Sequence, residues 1–311
     1  MKIAAVWGAS GFVGRHLVAA LQQAGWRVRA LVRNLDAKRG TVLAGLDAKP
    51  LPFSASLDEM LGALRGADVA FHCAGKPDGN ASELAEFERA TALFAEAAGA
   101  SGVPVLIQLS TVAVYGAKPG SLVTTATPLA ATTPYARSRI AAEVAAKSNT
   151  AGSRTCCCVV RIPMVVGPGM ASDALRLFFG TLRYRVFFHP GPRRALLNCI
   201  GISRLCRLLV TLAEHPVQEA VAVLQIADNV PWVDIARIYG EQTGRPVLRI
   251  RIPRVLARLA SRLLLGCDAQ EGLAALASTV TYMDDAGQLG FDLRATPTTA
   301  SDIANVARQR T

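Results

Sequence analysis

Three glycines carry the first chemical signal in this chain. Gly8, Gly11 and Gly14 are spaced Gly-x-x-Gly-x-x-Gly, directly after the apolar run Ile3–Trp7 and at the head of a segment whose Phe12, Leu17, Val18 and Leu21 share one helical face. Each glycine has a physical task. The first permits a tight turn, the second lets backbone N–H groups approach a pyrophosphate, and the third allows close helix–strand packing. The anion then sits at the positive end of the helix. Ser10, Phe12 and Val13 fall in the same turn and first helical residues, so with Gly8 and Gly11 they make the expected dinucleotide cradle. A carboxylate at the end of the second strand would bind a ribose 2′-hydroxyl, as in NAD. Here that position reads Leu31-Val32-Arg33-Asn34. Arg33, aided by Arg15 or Lys38, suits a 2′-phosphate, so NADP(H) is favoured over NAD(H).

Three later segments join this signal. Gly66–Gly75 reads as a strand ending in small residues, with Ala74 and Gly75 able to line the cofactor. Leu109-Ser110-Thr111-Val112-Ala113-Val114-Tyr115-Gly116 ends another strand with hydroxyls at the carboxyl edge of the sheet. Tyr135 and Arg139 stand at i and i+4, so they share a helix face.

With these segments in place the chain resembles the extended short-chain dehydrogenase/reductase superfamily, in particular its NAD(P)-dependent epimerase/dehydratase branch. Arg161-Ile162-Pro163-Met164-Val165-Val166-Gly167-Pro168-Gly169 looks like that branch's Arg-x-x-x-Val-Tyr-Gly-Pro-Gly, and Asp284-Asp285-Ala286-Gly287-Gln288-Leu289-Gly290-Phe291 looks like its late Asp…Leu-Gly-Trp. The resemblance implies Tyr135 as general acid/base and Thr111 as the hydroxyl on the reacting oxygen. Arg139 stands where the family has Lys, whose charge favours the ionised phenol and whose donors hold the nicotinamide ribose. Ile162 joins the cofactor set, and Lys76, Met164, Arg193 and Arg194 are the substrate-side candidates.

The implied reaction is reversible hydride transfer at an alcohol or ketone carbon of an anionic small molecule, a nucleotide- or lipid-linked sugar above all. Several motifs depart from the family. The acid expected after the third strand is absent from Leu51-Pro52-Phe53-Ser54, Met164 replaces an Asn, Val166 replaces a Tyr, and Ile202-Ser203-Arg204 replaces Val-Asp-Asp. These departures keep a second reading open, in which the chain is an NADP-binding scaffold or regulatory subunit with little turnover. The resemblance also implies a homodimer through paired helices.

Strands alternating with helices must position all of these groups. Apolar runs place strands at Ile3–Trp7, Arg27–Val32, Val69–Cys73, Val105–Ser110, Cys156–Ile162 and Val221–Ala227. Helical patterns fall at Gly11–Ala24, Leu57–Leu64, Ser82–Ala98, Pro134–Lys147, Ser203–Ala213 and Val233–Thr243. Thr133 caps the fourth of these, with Pro134 at its first position. The expectation is an α/β fold, a doubly wound parallel (Rossmann) sheet with a smaller, mostly C-terminal substrate-binding subdomain. Residues 1–165, with a return segment near 196–230, form the nucleotide domain; 166–195 and 231–311 form the subdomain.

Composition narrows the class. The chain has 311 residues, 51% of them hydrophobic and 18% charged, which excludes disorder. No apolar stretch approaches the roughly 20 residues of a membrane span, and the N-terminus runs straight into a strand, so no signal peptide is expected. The seven cysteines are odd in number and lack a Cys-x-x-Cys pair. They read as buried thiols of a reducing compartment, and a cytoplasmic location follows. The four His residues lack ligand spacing, so no metal is expected. Net charge is +11, and residues 161–262 alone carry fifteen Arg, no Lys and six acids, a net +9. No zinc-finger, RNA-recognition or basic-zipper signature accompanies this charge, so nucleic acid is not a partner. The stripe Arg254, Arg258 and Arg262 on an amphipathic helix suggests peripheral contact with anionic lipid.

Overall fold

The computed structural model describes residues 1–35, 45–75, 79–118, 120–170, 179–190, 195–252, 279–289 and 299–308. Lys38, Lys76, Arg193, Arg194, Cys267 and the Arg254 stripe lie outside the described residues. In chain order the strands are β1 Ile3–Trp7, β2 Arg27–Val32, β3 Asp47–Pro50, β4 Val69–His72, β5 Val105–Thr111, β6 Leu122–Val123, β7 Cys156–Ile162, β8 Met164–Val166, β9 Val186–Pro190, β10 Leu196–Gly201, β11 Val221–Gln225, β12 Asp228–Pro231, β13 Leu248–Ile252 and β14 Thr281–Tyr282. The helices are α1 Phe12–Gln23, α2 Leu57–Leu64, α3 Ala81–Ala100, α4 Pro134–Thr150, α5 Ile202–Glu214, α6 Trp232–Thr243 and α7 Thr299–Arg308.

The chain divides into two units. The first comprises Met1–Gly116, Thr127–Ile162 and Cys206–Gln225, so the segment that returns to it is Cys206–Gln225. Its seven strands form one parallel sheet in the order β11-β7-β5-β4-β1-β2-β3, the doubly wound arrangement expected from the alternating pattern. Strand order reverses after β1, which puts the crevice for a ligand at the carboxyl ends of β1 and β4. The central strands are apolar on both faces because helices cover both.

Local chemistry sets the helix starts. Ser56 and Asn80 each accept from the backbone N–H three residues on, at Glu59 and Glu83, whose carboxylates return the bond. Thr133 Oγ1 accepts from Ala136 N at 3.1 Å, with Pro134 opening α4. Under β1, β4 and β5 the core gathers Trp7, Leu31, Met60, Leu64, Phe94 and Leu106. Trp7 stacks on Phe94 at 4.8 Å and donates its indole N–H to Leu51 O at 2.9 Å, which pins the loop after β3.

The second unit comprises Ala117–Ala126, Pro163–Leu205 and Ile226–Thr311. It is built from small sheets, β12-β10-β8, β13-β9 and β14-β6. Arg204 pairs with Asp228 at 3.0 Å and Asp284 at 2.6 Å, and Asp302 accepts from Ser203 N and Oγ at 3.0 and 2.8 Å. Where the family's Val-Asp-Asp would stand, Ile202-Ser203-Arg204 thus presents a hydroxyl and a cation to acids carried by other elements.

Among the described residues six cysteines are thiols outside any disulfide. Burial raises the pKa of Cys157 to about 11 and that of Cys73 to about 12, so these are core thiols rather than nucleophiles. Among the described residues no helix is long and apolar enough to cross a membrane.

Candidate active site

The glycine turn has the tight geometry its spacing demands. Gly8 adopts φ +84°, and a Cβ there would lie 2.7 Å from Ala74 N, so the end of β1 and the end of β4 meet through backbone alone. A Cβ on Gly14 would lie 2.1 Å from Gly8 O, which is why the helix can start against the strand. Gly11 is the N-cap of α1, its N–H bonded to Gly8 O at 2.9 Å. No side chain caps α1 and no acid stands in its first turn, where Phe12 and Val13 are half-buried beside Ser10. That is the electrostatic profile of an anion-accepting terminus.

On the neighbouring edge, Arg33 is exposed just past β2. The loop after β3 brings Phe53, not an acid, edge-on to Trp7 at 5.5 Å and to Phe87 at 5.8 Å. Arg89 fastens that loop by donating to Phe53 O at 2.6 Å.

The groups expected to react lie across the crevice. Tyr135 is half-buried in the first turn of α4, and Arg139, one turn on, is 7% exposed. The Arg139 guanidinium lies 5.1 Å from the Tyr135 ring centroid and 4.5 Å from that of Phe87, which is buried on α3. The cation is thus sandwiched between two aromatic faces. It also runs beneath the end of β4, with Nη1 3.5 Å from Ala74 O. A Cβ on Gly75 would fall 1.8 Å from Nη2, so the space a side chain would take at Gly75 is filled by the guanidinium. Arg139 Nε is buried without a hydrogen-bond partner.

Thr111 is the last residue of β5, and its Oγ1 accepts from Ala113 N at 3.2 Å, capping the short turn Val112–Tyr115. No hydrogen bond among the described residues joins it to Tyr135. Ile162 ends β7, 7% exposed, and Met164 is half-buried on β8 in the second unit. The first unit therefore brings Gly8, Ala74, Gly75, Tyr135 and Arg139 together.

Sequence reasoning missed the supports of this site. Phe87 carries the face on which Arg139 rests. Glu143, one further turn along α4, is 1% exposed and receives Arg161 bidentately, Nη2 at 2.6 Å and Nε at 2.9 Å. Ser110 Oγ donates to the same carboxylate at 2.5 Å, and Arg161 Nη1 donates to Tyr115 OH at 2.9 Å. One buried network thus ties α4 to β5, β7 and the turn after Thr111. Burial opposes the Arg161 charge, but Glu143 and Tyr115 outweigh it and hold its pKa above the ordinary value. The spacing carries a signal for Glu143: it stands at i+8 from Tyr135 and i+4 from Arg139, an acid on the helix face those two share.

His72, at the end of β4, is fully buried among Trp7, Phe87 and Phe94. Thr91 donates to Phe87 O at 2.8 Å, so its oxygen accepts the His72 Nε2–H at 3.0 Å. Desolvation, with the nearby Arg139 charge adding to it, lowers the His72 pKa to about 3, and the ring is neutral at physiological pH.

The model of the NAD dependent epimerase/dehydratase family matches residues 4–183. The ceramide reductase of Caulobacter vibrioides is 29% identical over 265 residues, covering 81% of this chain and 74% of that protein. A shorter match, 37% over 114 residues, links 35% of this chain to 33% of a 4-hydroxy-2-methyl-3-oxo-4-farnesyl-3,4-dihydroquinoline-1-oxide ketoreductase from Stigmatella aurantiaca. Among solved structures, UDP-glucuronic acid 4-epimerase from Bacillus cereus in complex with NAD superposes with a TM-score of 0.71 at 17% identity, covering 98% of this chain and 97% of that one. That likeness is one of fold.

Proposed function

We propose an activity from an established premise: this chain belongs to the NAD dependent epimerase/dehydratase family and is an enzyme of the nicotinamide-dependent kind. The activity is reversible reduction of a ketone to an alcohol with NADP(H), on a lipophilic substrate. The observation that carries the chemistry is the stack of Tyr135 on Arg139 beneath Gly75, at the mouth of the glycine turn. A bound nicotinamide dinucleotide supplies or accepts the hydride. Gly8, Ser10, Gly11, Phe12 and Val13 would hold its pyrophosphate, and Ala74 and Gly75 leave room beside it. The unpartnered Arg139 Nε–H is a donor suited to a ribose hydroxyl.

Tyr135 then has one task, to hand its phenolic proton to the substrate oxygen as that oxygen becomes an alcohol, or to take it back. Arg139 supports it by holding its guanidinium over the ring, 5.1 Å from the centroid, which fixes the face the phenol presents. Thr111, at the same sheet edge, contributes a hydroxyl to the reacting oxygen. Its Oγ1 accepts from Ala113 N, so its own O–H remains able to donate.

The substrate class rests on the relatives and on the eroded sugar motifs. The ceramide reductase aligns over most of this chain, and the second relative is named for a farnesylated substrate. Met164 stands where the family's Asn lies near a substrate diphosphate, and Val166 replaces the Tyr of the Val-Tyr-Gly-Pro motif. A long-chain or prenylated ketone therefore fits better than a nucleotide sugar. The cofactor preference rests on Arg33, which stands where NAD binding calls for an acid.

The test is turnover. Purified protein is mixed with NADPH or NADH and a panel of long-chain ketones, and nicotinamide absorbance is followed for wild type and Tyr135→Phe. Loss of the proton donor should lower kcat by ~10²–10⁴-fold while nucleotide affinity holds. Turnover insensitive to Tyr135→Phe would sink the role of the phenol, and nucleotide binding without turnover of any ketone would move the chain to the scaffold reading. Arg33→Ala should weaken NADPH by about 10–100-fold, the worth of one charge-assisted contact, and leave NADH nearly unchanged. Equal losses would refute the 2′-phosphate contact.

A further inference from the structure

In the second unit β9 and β13 form a two-stranded parallel ribbon in which β9 is packed on one side and β13 is exposed from Leu248 to Arg251. Phe187 points to one side, where it is fully buried and stacked on Trp232 of α6 at 6.0 Å. The register pairs Leu248 with Val186 and Ile250 with Phe188, so these four residues share the opposite side. Val186 and Phe188 are half-buried there, while Leu248 is 62% and Ile250 38% exposed. Tyr184, next to the start of β9, is 69% exposed.

A recess of about 340 Å³ opens at the amino end of this ribbon, lined by Arg183, Arg185, Arg245, Gln242 and Thr243 over Leu182, Tyr239 and Val247, without an acid among them. All three arginines are exposed, and no carboxylate pairs with any of them among the described residues. Arg183 lies over the Tyr184 ring at 4.7 Å, and Arg185 Nε donates to Pro246 O at 3.3 Å. Arg185 also holds φ +62°, alone among the described non-glycine residues in the left-handed region.

We propose that this surface docks the protein on a membrane rich in anionic phospholipid. Leu248, Ile250 and Tyr184 would enter the interfacial layer, and Arg183, Arg185 and Arg245 would receive lipid phosphates. The combination is what distinguishes it from an ordinary solvated surface. Exposed aliphatic side chains give the apolar contact, an aromatic sits at headgroup depth, and guanidiniums without a carboxylate partner, next to them at the amino end of the ribbon, bind phosphate bidentately. A water-soluble anion would use the recess and ignore the aliphatic face, whereas a lipid surface uses both. The inference goes beyond the catalytic reading and does not depend on it, since binding is read without turnover.

The experiment uses the full chain with vesicles of phosphatidylcholine alone or mixed with phosphatidylglycerol, followed by co-sedimentation at low and high salt. Wild type should bind the phosphatidylglycerol vesicles and not the neutral ones, and salt should release it. Each of Arg183→Gln and Arg245→Gln should weaken partition about fivefold, the equivalent of ~1 kcal/mol per cation near such a surface. Leu248→Ser with Ile250→Ser should weaken it further with the arginines intact. Circular dichroism and urea midpoints matching wild type keep the comparison on folded protein. Equal binding of wild type and all variants, or no binding to phosphatidylglycerol vesicles, would overturn the proposal. So would competition by inorganic phosphate in the arginine recess combined with indifference to Leu248→Ser/Ile250→Ser, which would make it a free-anion site. Each of these outcomes leaves the Tyr135 turnover test unaffected.

Discussion

Removing the aromatic face under Arg139 tests the architecture of the site directly. In Phe87→Leu the guanidinium loses a ring 4.5 Å away in a place where Arg139 is 7% exposed, so the stacking energy belongs at the desolvated end, about 2 kcal/mol. The shrunken side chain adds a packing loss of roughly 1 kcal/mol, because Phe87, itself 3% exposed, also packs on Phe53 and His72. The single variant should therefore unfold about 3 kcal/mol more easily. The two contributions separate in a double-mutant cycle with Arg139→Met, since the packing loss persists without the cation and the stacking term does not.

A coupling of roughly 1–2 kcal/mol is expected in urea unfolding, and the same coupling should appear in nicotinamide-nucleotide affinity read by fluorescence. Affinity is the readout that a purely structural Phe87 would not move: a guanidinium released from its sandwich no longer presents Nε to the ribose, and Kd should rise severalfold. Additivity within about 0.3–0.5 kcal/mol in both measurements would refute the idea that Phe87 holds Arg139 in place.

Other perturbations probe the buried groups around the site. Glu143→Gln leaves Arg161, whose side chain is 4% exposed, without its carboxylate, and should cost about 3–5 kcal/mol in urea unfolding. Arg161→Met added to it should recover much of that loss, and a cost under about 1 kcal/mol for the single variant would show that the network is better hydrated than its burial implies. His72 gives a pH signature. Its folded pKa is near 3 against 6.5 for the free side chain, so between those values the unfolded state binds the extra proton and stability falls as pH drops through 6.5. At pH 5.5 the loss attributable to His72 is on the order of 1 kcal/mol relative to pH 8. His72→Phe should flatten that part of the stability profile, and an unchanged slope would assign it to other groups.

How far the sequence discloses this molecule depends on where the information for each element resides. β1, β2, β7 and α2 fall at the residues expected for them, β1 because a strand covered on both faces needs only continuous hydrophobicity. β3, Asp47-Ala48-Lys49-Pro50, gave no such signal. It is a polar edge strand with no fully buried residue, and its pairing to β2 supplies what its composition does not. β6 lies inside the Thr/Ala/Pro-rich loop 118–133 and exists through β14, nearly 160 residues later. The alternation Leu248-Arg249-Ile250-Arg251 is legible as a two-faced strand, but its partner β9, Val186–Pro190, carries no alternation of its own. Within the site, the glycine turn and the Tyr135/Arg139 pair could be read because both are local spacings. Phe87 could not, since its contact with Arg139 is made between two helices and leaves no mark on either segment alone.

That difference bears on how the substitution at 139 should be understood. Taken by itself, Arg in place of Lys suggests a weakened proton relay, because a planar guanidinium is longer and more delocalised than an ammonium. The structure sets the change among neighbours that suit it. Phe87 offers a flat face, Gly75 leaves the room that Nη2 fills, and Ala74 O lies near Nη1. A lysine there would keep the charge but leave part of that slot empty, and an ammonium is more strongly hydrated in a site with little water. Restoring the family's Lys by Arg139→Lys alone should therefore slow the enzyme or leave it unimproved, since the surroundings now fit the guanidinium. A clear gain in kcat from that single change would mean that Phe87 and Gly75 only tolerate the arginine, and the positioning role argued for them would fail.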